Sequence, residues 1–186
     1  MYEEALRRPE PALTSEREMT MEDIAEISRR LGVLEDERSL RALLTRYAFN
    51  ADLGRSREYA ALYAEDGAID VYGSRYEGQD DILMKFITGV GHRSIEGRCQ
   101  HFTQGPLIFN INGDQAEAEG YSLVLVREGS IPNPLSGQLM PDIRVYTASL
   151  NHWRFARING DWKIVERIVR PIGDDAPAEV ISRITQ

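Results

Sequence analysis

Two Asn-Gly dipeptides, Asn112-Gly113 and Asn159-Gly160, constrain the fold of this 186-residue chain more than any other feature. A two-residue type I′ turn needs positive φ at both central positions, and Asn-Gly accepts that at little cost. Each dipeptide therefore predicts a β-hairpin with its register fixed by the turn. Strand-like runs over about 98–111, 115–128, 143–158 and 161–170 then make four consecutive antiparallel strands. The connection over 129–142 holds Pro132, Pro134, Gly137 and Pro141 and reads as a long loop, either a lid or an oligomer contact.

Upstream the apolar period is helical. Thr20-Met21-Glu22-Asp23 resembles a capping box opening a helix over about 21–31, interrupted near Gly32. A second helix, about 35–52, stops near Gly54, and Ser56 caps a third, short one that ends in the turn Glu65-Asp66-Gly67. Ala68–Tyr72 and Arg75–Glu77 read as a hairpin, Gln79–Ile87 as another helix, and Gly89 and Gly91 open a loop to about Gly97. Helices, a hairpin and a meander give an α+β layout: a cone-shaped fold whose curved, mostly antiparallel sheet wraps the N-terminal helices around an internal cavity. The expected organisation is a flexible arm at 1–19, a single domain at 20–172 and a tail at 173–186.

Asp52 is the chemically telling residue of the second helix. It continues the row Leu40, Leu44, Ala48 at four-residue spacing, on the face that turns toward the interior. A carboxylate there needs a buried donor or it is costly. Of His92, His101 and His152, His101 is the best candidate; the alternative is a solvent-facing Asp52 bonded to Arg55. His92, in a glycine-flanked loop, and His152 read as structural or surface residues.

A net charge of −8 and a pI near 5.0 argue against nucleic acid or an anionic membrane surface as partner, since both demand clustered Lys and Arg. Cys99 is the sole cysteine, so neither an intrachain disulfide nor a cysteine-based metal site is expected, in keeping with a reducing cytoplasm. The N-terminus lacks the apolar run of a secretory signal, and no stretch approaches the length of a membrane span. There is no glycine-rich phosphate loop after a strand and no His-Glu-x-x-His, so neither metal nor organic cofactor is expected.

The order of these elements carries a resemblance. Tyr47-Ala48 precedes Asp52 near the end of the second helix, Tyr63-Ala64-Glu65-Asp66-Gly67 follows the third, His101 falls early in a strand, and Asn159-Gly160-Asp161-Trp162-Lys163-Ile164 leads into the last one. Over about 20–172 this is similar to the SnoaL-like group of the nuclear-transport-factor-2-like superfamily, most of all the branch of scytalone dehydratase, bile-acid dehydratases and hexachlorocyclohexane dehydrochlorinase. The resemblance implies an Asp52–His101 proton-transfer pair, with Tyr47 matching a tyrosine of the bile-acid dehydratases. Arg170, after a one-residue deletion, matches their arginine, and Tyr72 matches a carbonyl-polarising tyrosine of scytalone dehydratase. The second histidine of scytalone dehydratase has no counterpart near Tyr121. Asn151 stands in a Thr147, Ser149, Asn151 alternation that faces either substrate or solvent.

The function this implies is a cofactor-independent lyase, a dehydratase acting on a small hydrophobic cyclic hydroxy-ketone of polyketide, steroid or terpenoid type. An isomerase or cyclase would use the same dyad. A non-catalytic ligand-binding or assembly module, or an oxygenase accessory subunit, shares the fold. A homo-oligomer, dimer or trimer, is expected from the family and from the apolar sheet face left after the helices are covered.

Overall fold

The computed structural model describes residues 19–103, 105 and 107–173. The arm expected before residue 19 and the tail expected after residue 173 lie outside the described residues. The chain divides into two units, residues 1–32 and 33–186. In the first, Thr20 caps the helix: its N–H and hydroxyl donate to the Asp23 carboxylate while the Asp23 N–H donates to the Thr20 hydroxyl, a capping box with Asp in place of the usual Glu. The helix is α1 (Met21–Asp52), and the break expected near Gly32 does not occur. A glycine inside a helix costs about 1 kcal/mol relative to alanine, a penalty rather than a stop.

In the second unit α1 buries Leu40, Leu43, Leu44, Tyr47, Ala48 and Ala51. The chain continues as α2 (Ser56–Ala60), β1 (Tyr63–Val71), β2 (Ser74–Glu77), α3 (Gly78–Asp81), a π-helical turn (Ile82–Ile87), α4 (Val90–Arg93), β3 (Cys99–Phe102), β4 (Leu107–Asn112), β5 (Gln115–Pro132), β6 (Leu139–Ile158) and β7 (Asp161–Pro171). The seven strands form one curved, unclosed sheet in the order β2-β1-β7-β6-β5-β3, with β4 also paired to β5. Every pairing is antiparallel except β1 with β7.

Both expected hairpins form, but only one turn is centred on its Asn-Gly pair. Ile158 pairs with Asp161 across Asn159 (φ 52°) and Gly160 (φ 89°), whereas Asn112 pairs with Gln115, so the first turn is centred one residue later, on Gly113 (φ 58°) and Asp114. Three expectations are corrected. The first strand-like run is two strands, β3 and β4. Glu65-Asp66-Gly67 is not a turn after a helix but an irregularity within β1, where the β7 register shifts between Tyr63 and Ala68. At Gly67 a Cβ would lie 2.9 Å from the Ile164 carbonyl oxygen, so only glycine lets the two backbones approach this closely.

The third correction concerns 129–142, which is largely strand. Gly129 pairs with Asp142, Ser130 with Pro141, Ile131 with Met140 and Pro132 with Leu139, leaving only Asn133–Gln138 as the connection. Among the described residues β5 and β6 have only each other as neighbours here, so a proline's missing N–H costs no ladder bond when it faces the open side.

The core packs α1 and α2 against the sheet through Leu43, Leu44, Tyr47, Tyr59, Trp153 and Ile164. The Thr103 hydroxyl donates to the Leu44 carbonyl at 3.2 Å and ties the end of β3 to α1. No helix among the described residues is long and apolar enough to cross a membrane.

Candidate active site

Asp52, the last residue of α1, meets β3. His101 Nδ1 lies 2.6 Å from Asp52 Oδ1, and the His101 backbone N–H donates to both carboxylate oxygens at 3.0 and 3.2 Å. The Cys99 thiol, two residues earlier on the same face of the strand, also points at Oδ1, at 3.7 Å. Both side chains of the pair are largely buried, with 11% and 14% of their surface exposed. With Nδ1 committed to the carboxylate, Nε2 is the nitrogen left free, and it has no hydrogen-bond partner among the described residues.

His101 lines a cavity of about 400 Å³ between α1, the concave face of the sheet and the helical segment after β2. Tyr47, Tyr72 and Arg167 contribute to the same wall. The Tyr47 hydroxyl accepts from the Tyr59 hydroxyl at 2.5 Å and from Arg167 Nη1, so its own hydrogen is the one left for a ligand. Tyr72, in the left-handed region (φ 57°) at the β1–β2 turn, shares a hydrogen bond with the Ser149 hydroxyl at 2.8 Å.

Of the residues singled out from sequence, Asp52, His101, Tyr47 and Tyr72 come together around this space. Asn151 sits one layer behind: it is buried, donates to the Ser122 hydroxyl at 2.8 Å, and accepts from Arg167 Nε and Nη2 at 2.9 and 2.6 Å. The face of β6 that carries Ser149 and Asn151 is thus interior, not solvated. Arg170 stands apart from the cavity wall. Its guanidinium makes a bidentate pair with Asp70 at 2.7 and 2.9 Å, which holds the Asp70 carboxyl below the usual carboxylate range.

Two cavity residues escaped sequence reasoning. Arg167, two strand positions before Val169 and on the same face, is 6% exposed and packs over the rings of Tyr47 and Trp153, with centroid distances of 5.0 and 4.5 Å. Burial opposes its charge, but the phenol oxygens of Tyr47, Tyr59, Tyr63 and Tyr72 outweigh that and hold the guanidinium more firmly protonated.

His92, on α4, stacks on His101 with ring centroids 5.8 Å apart, and neither of its buried ring nitrogens has a partner in hydrogen-bond geometry. Burial, then the neighbouring His101, pushes its pKa down. His152, by contrast, lies away from the cavity near Glu117 and Glu119.

His92, Cys99 and His101 form the cluster best suited to a metal, with ligand atoms within 4.8 Å of one another, although a lone cysteine suggested no such site. A zinc ion with bonds of about 2.0–2.3 Å needs its ligand atoms closer, about 3.5 Å apart. Burial and then Asp52 also push the Cys99 thiol up to about 11, so it is protonated at neutral pH. In this arrangement the cluster sets two stacked imidazoles and a protonated thiol beside the Asp52 carboxylate.

A SnoaL-like domain profile matches residues 32–168. At 30% identity, an NTF2-like protein with a cystatin-like fold from Novosphingobium aromaticivorans aligns with a TM-score of 0.70 over 87% of this chain and 97% of its own. A candidate scytalone dehydratase from the same organism (17% identity, TM-score 0.59, 76% of this chain and 95% of its own) shares the fold. So does a type 2 hexachlorocyclohexane dehydrochlorinase (16% identity, TM-score 0.60, 77% and 89%). No curated protein sequence matches.

Proposed function

Because this chain belongs to the SnoaL-like domain family, with dehydratase-type neighbours in fold, we propose that it is a cofactor-independent lyase that removes water from a small cyclic hydroxy-ketone. The observation that carries the reading is the 2.6 Å contact between Asp52 and His101 at the wall of a ring-sized cavity.

The carboxylate fixes the tautomer with hydrogen on Nδ1, leaving Nε2 to take a proton from the carbon next to the substrate carbonyl. The C–H electron pair moves onto the carbonyl oxygen. The Tyr47 hydroxyl donates a hydrogen bond to that oxygen, and Arg167 behind it favours the growing negative charge. The enolate then collapses to a carbon–carbon double bond and expels the β-hydroxyl, which takes the proton from the imidazolium and leaves as water. His101 returns to its neutral state. If the proton goes back to carbon instead, the same groups perform an isomerisation.

The test is turnover of a panel of cyclic β-hydroxy-ketones by purified protein in the presence of a chelator and without nucleotide, followed by the rise of enone absorption. Elimination that persists under chelation is expected. Elimination that appears only after a metal or nucleotide is added sinks the reading.

A further inference from the structure

Arg167 brings into the cavity a positive charge that no carboxylate among the described residues neutralises. Among the described residues no carboxylate lies within ion-pair distance of it; its partners are the Asn151 amide oxygen, the Tyr47 hydroxyl and two aromatic faces. These take three of the five guanidinium N–H groups and leave two uncommitted. The rest of the wall is consistent with that charge. It includes Lys85, His92 and His101 but neither Asp nor Glu, in a chain whose net charge is −8. Lys85 is already paired with Asp81 at 2.8 Å, and Asp52 is spent on His101.

A buried guanidinium without a counter-ion is costly, and its planar fork matches a carboxylate. We propose that the substrate carries a carboxylate and that Arg167, held flat by Asn151 and Trp153, is the residue that receives it. This deepens the lyase reading, on which it rests for the reacting end of the molecule. The dehydration then acts on a cyclic keto-acid rather than a neutral ketone. The carboxylate supplies the charge the cavity lacks, while Tyr47, one hydrogen bond from Arg167, serves the adjacent carbonyl.

The experiment uses calorimetric binding of 2-naphthoate and its isosteric neutral amide, 2-naphthamide, to the full chain. At least tenfold tighter binding of the carboxylate is expected for the wild type. The preference should fall to within about twofold in Arg167→Met and persist in part in Arg167→Lys, which keeps the charge but loses the fork. Equal binding of the two probes to the wild type overturns the proposal without recourse to any variant, as does a preference unchanged in Arg167→Met.

Should the Met variant not fold, the Nε resonance of Arg167, identified through Arg167→Lys, takes its place. It must shift with naphthoate and not with the amide, and an unmoved resonance also overturns the proposal. His101→Gln separates the two readings. It should keep the carboxylate preference while losing elimination, so loss of the lyase assignment leaves the anion site standing, whereas equal binding of the two probes to a wild type that still eliminates water removes the anion site alone.

Discussion

Asp52 accepts from His101 twice, through the ring Nδ1 and through the backbone N–H. One carboxylate thus fixes both the tautomer of the imidazole and the place where β3 meets the end of α1. Asp52→Asn keeps the shape but offers an amide where the ring needs an acceptor. Its kcat/KM is expected to fall by about 10²–10⁴-fold. Stability should fall by about 1–3 kcal/mol, since the donors around it are partly buried. Steady-state kinetics together with denaturant unfolding separate the two effects.

The Tyr47 hydroxyl is the acceptor for both Tyr59 and Arg167. Tyr47→Phe removes it, leaves two buried donors without a partner, and takes away the proposed enolate donor. The expected outcome is a loss of about 10²-fold in kcat with a smaller change in KM, and destabilisation of about 1–3 kcal/mol. A variant that loses stability but keeps kcat would restrict Tyr47 to packing.

Cys99 lies half-buried beside Asp52, and its thiol is pushed up to about 11. Alkylation by iodoacetamide near neutral pH should be roughly 100-fold slower than for an exposed cysteine, because the thiolate is the nucleophile. Removing the neighbouring charge in Asp52→Asn should speed it. Rates followed by intact mass check both statements.

His92 titrates below the ordinary histidine value because it is buried and faces His101. Glu96, Asp52 and the Ile87 backbone pull the other way. The unfolded chain therefore binds the proton first as pH falls, and stability declines as pH drops through about 6.5 toward the lower folded value. Above that window His92 contributes nothing to the pH dependence. His92→Phe should lose less thermal stability than the wild type between about pH 7 and pH 5. Identical acid sensitivity would mean that the ring is not held neutral.

How much of this was legible in the sequence depends on whether the signal was local. The hairpins at Asn112-Gly113 and Asn159-Gly160 needed only backbone chemistry, and the row ending in Asp52 needed only helical periodicity, so both could be read, although the first turn falls one residue later, on Gly113 and Asp114. The cost of burying a carboxylate asked only for a donor near Asp52; the choice of His101 as that donor leaned on the family resemblance.

Arg167 was hidden by a bulge. Trp162 and Ile164 face inward on β7, and strict alternation would continue to Glu166 and Ile168. The extra residue between the Arg154 and Phe155 pairings shifts the inward face to Arg167 and Val169 and leaves Arg170 on the other side with Asp70. His92 gave no periodic signal, because its place depends on a four-residue helix between glycines. The strand pairing at 129–142 was masked by prolines that an open-sided hairpin tolerates.

The account turns on proton abstraction by His101, which hydrogen–deuterium exchange at the carbon next to the carbonyl of a bound cyclic ketone measures directly, whatever step follows. In deuterated buffer the wild type should exchange that proton. His101→Gln, shown to be folded by an unchanged melting transition, should do so at least about 100-fold more slowly. Exchange at the wild-type rate in the folded variant would contradict the central claim.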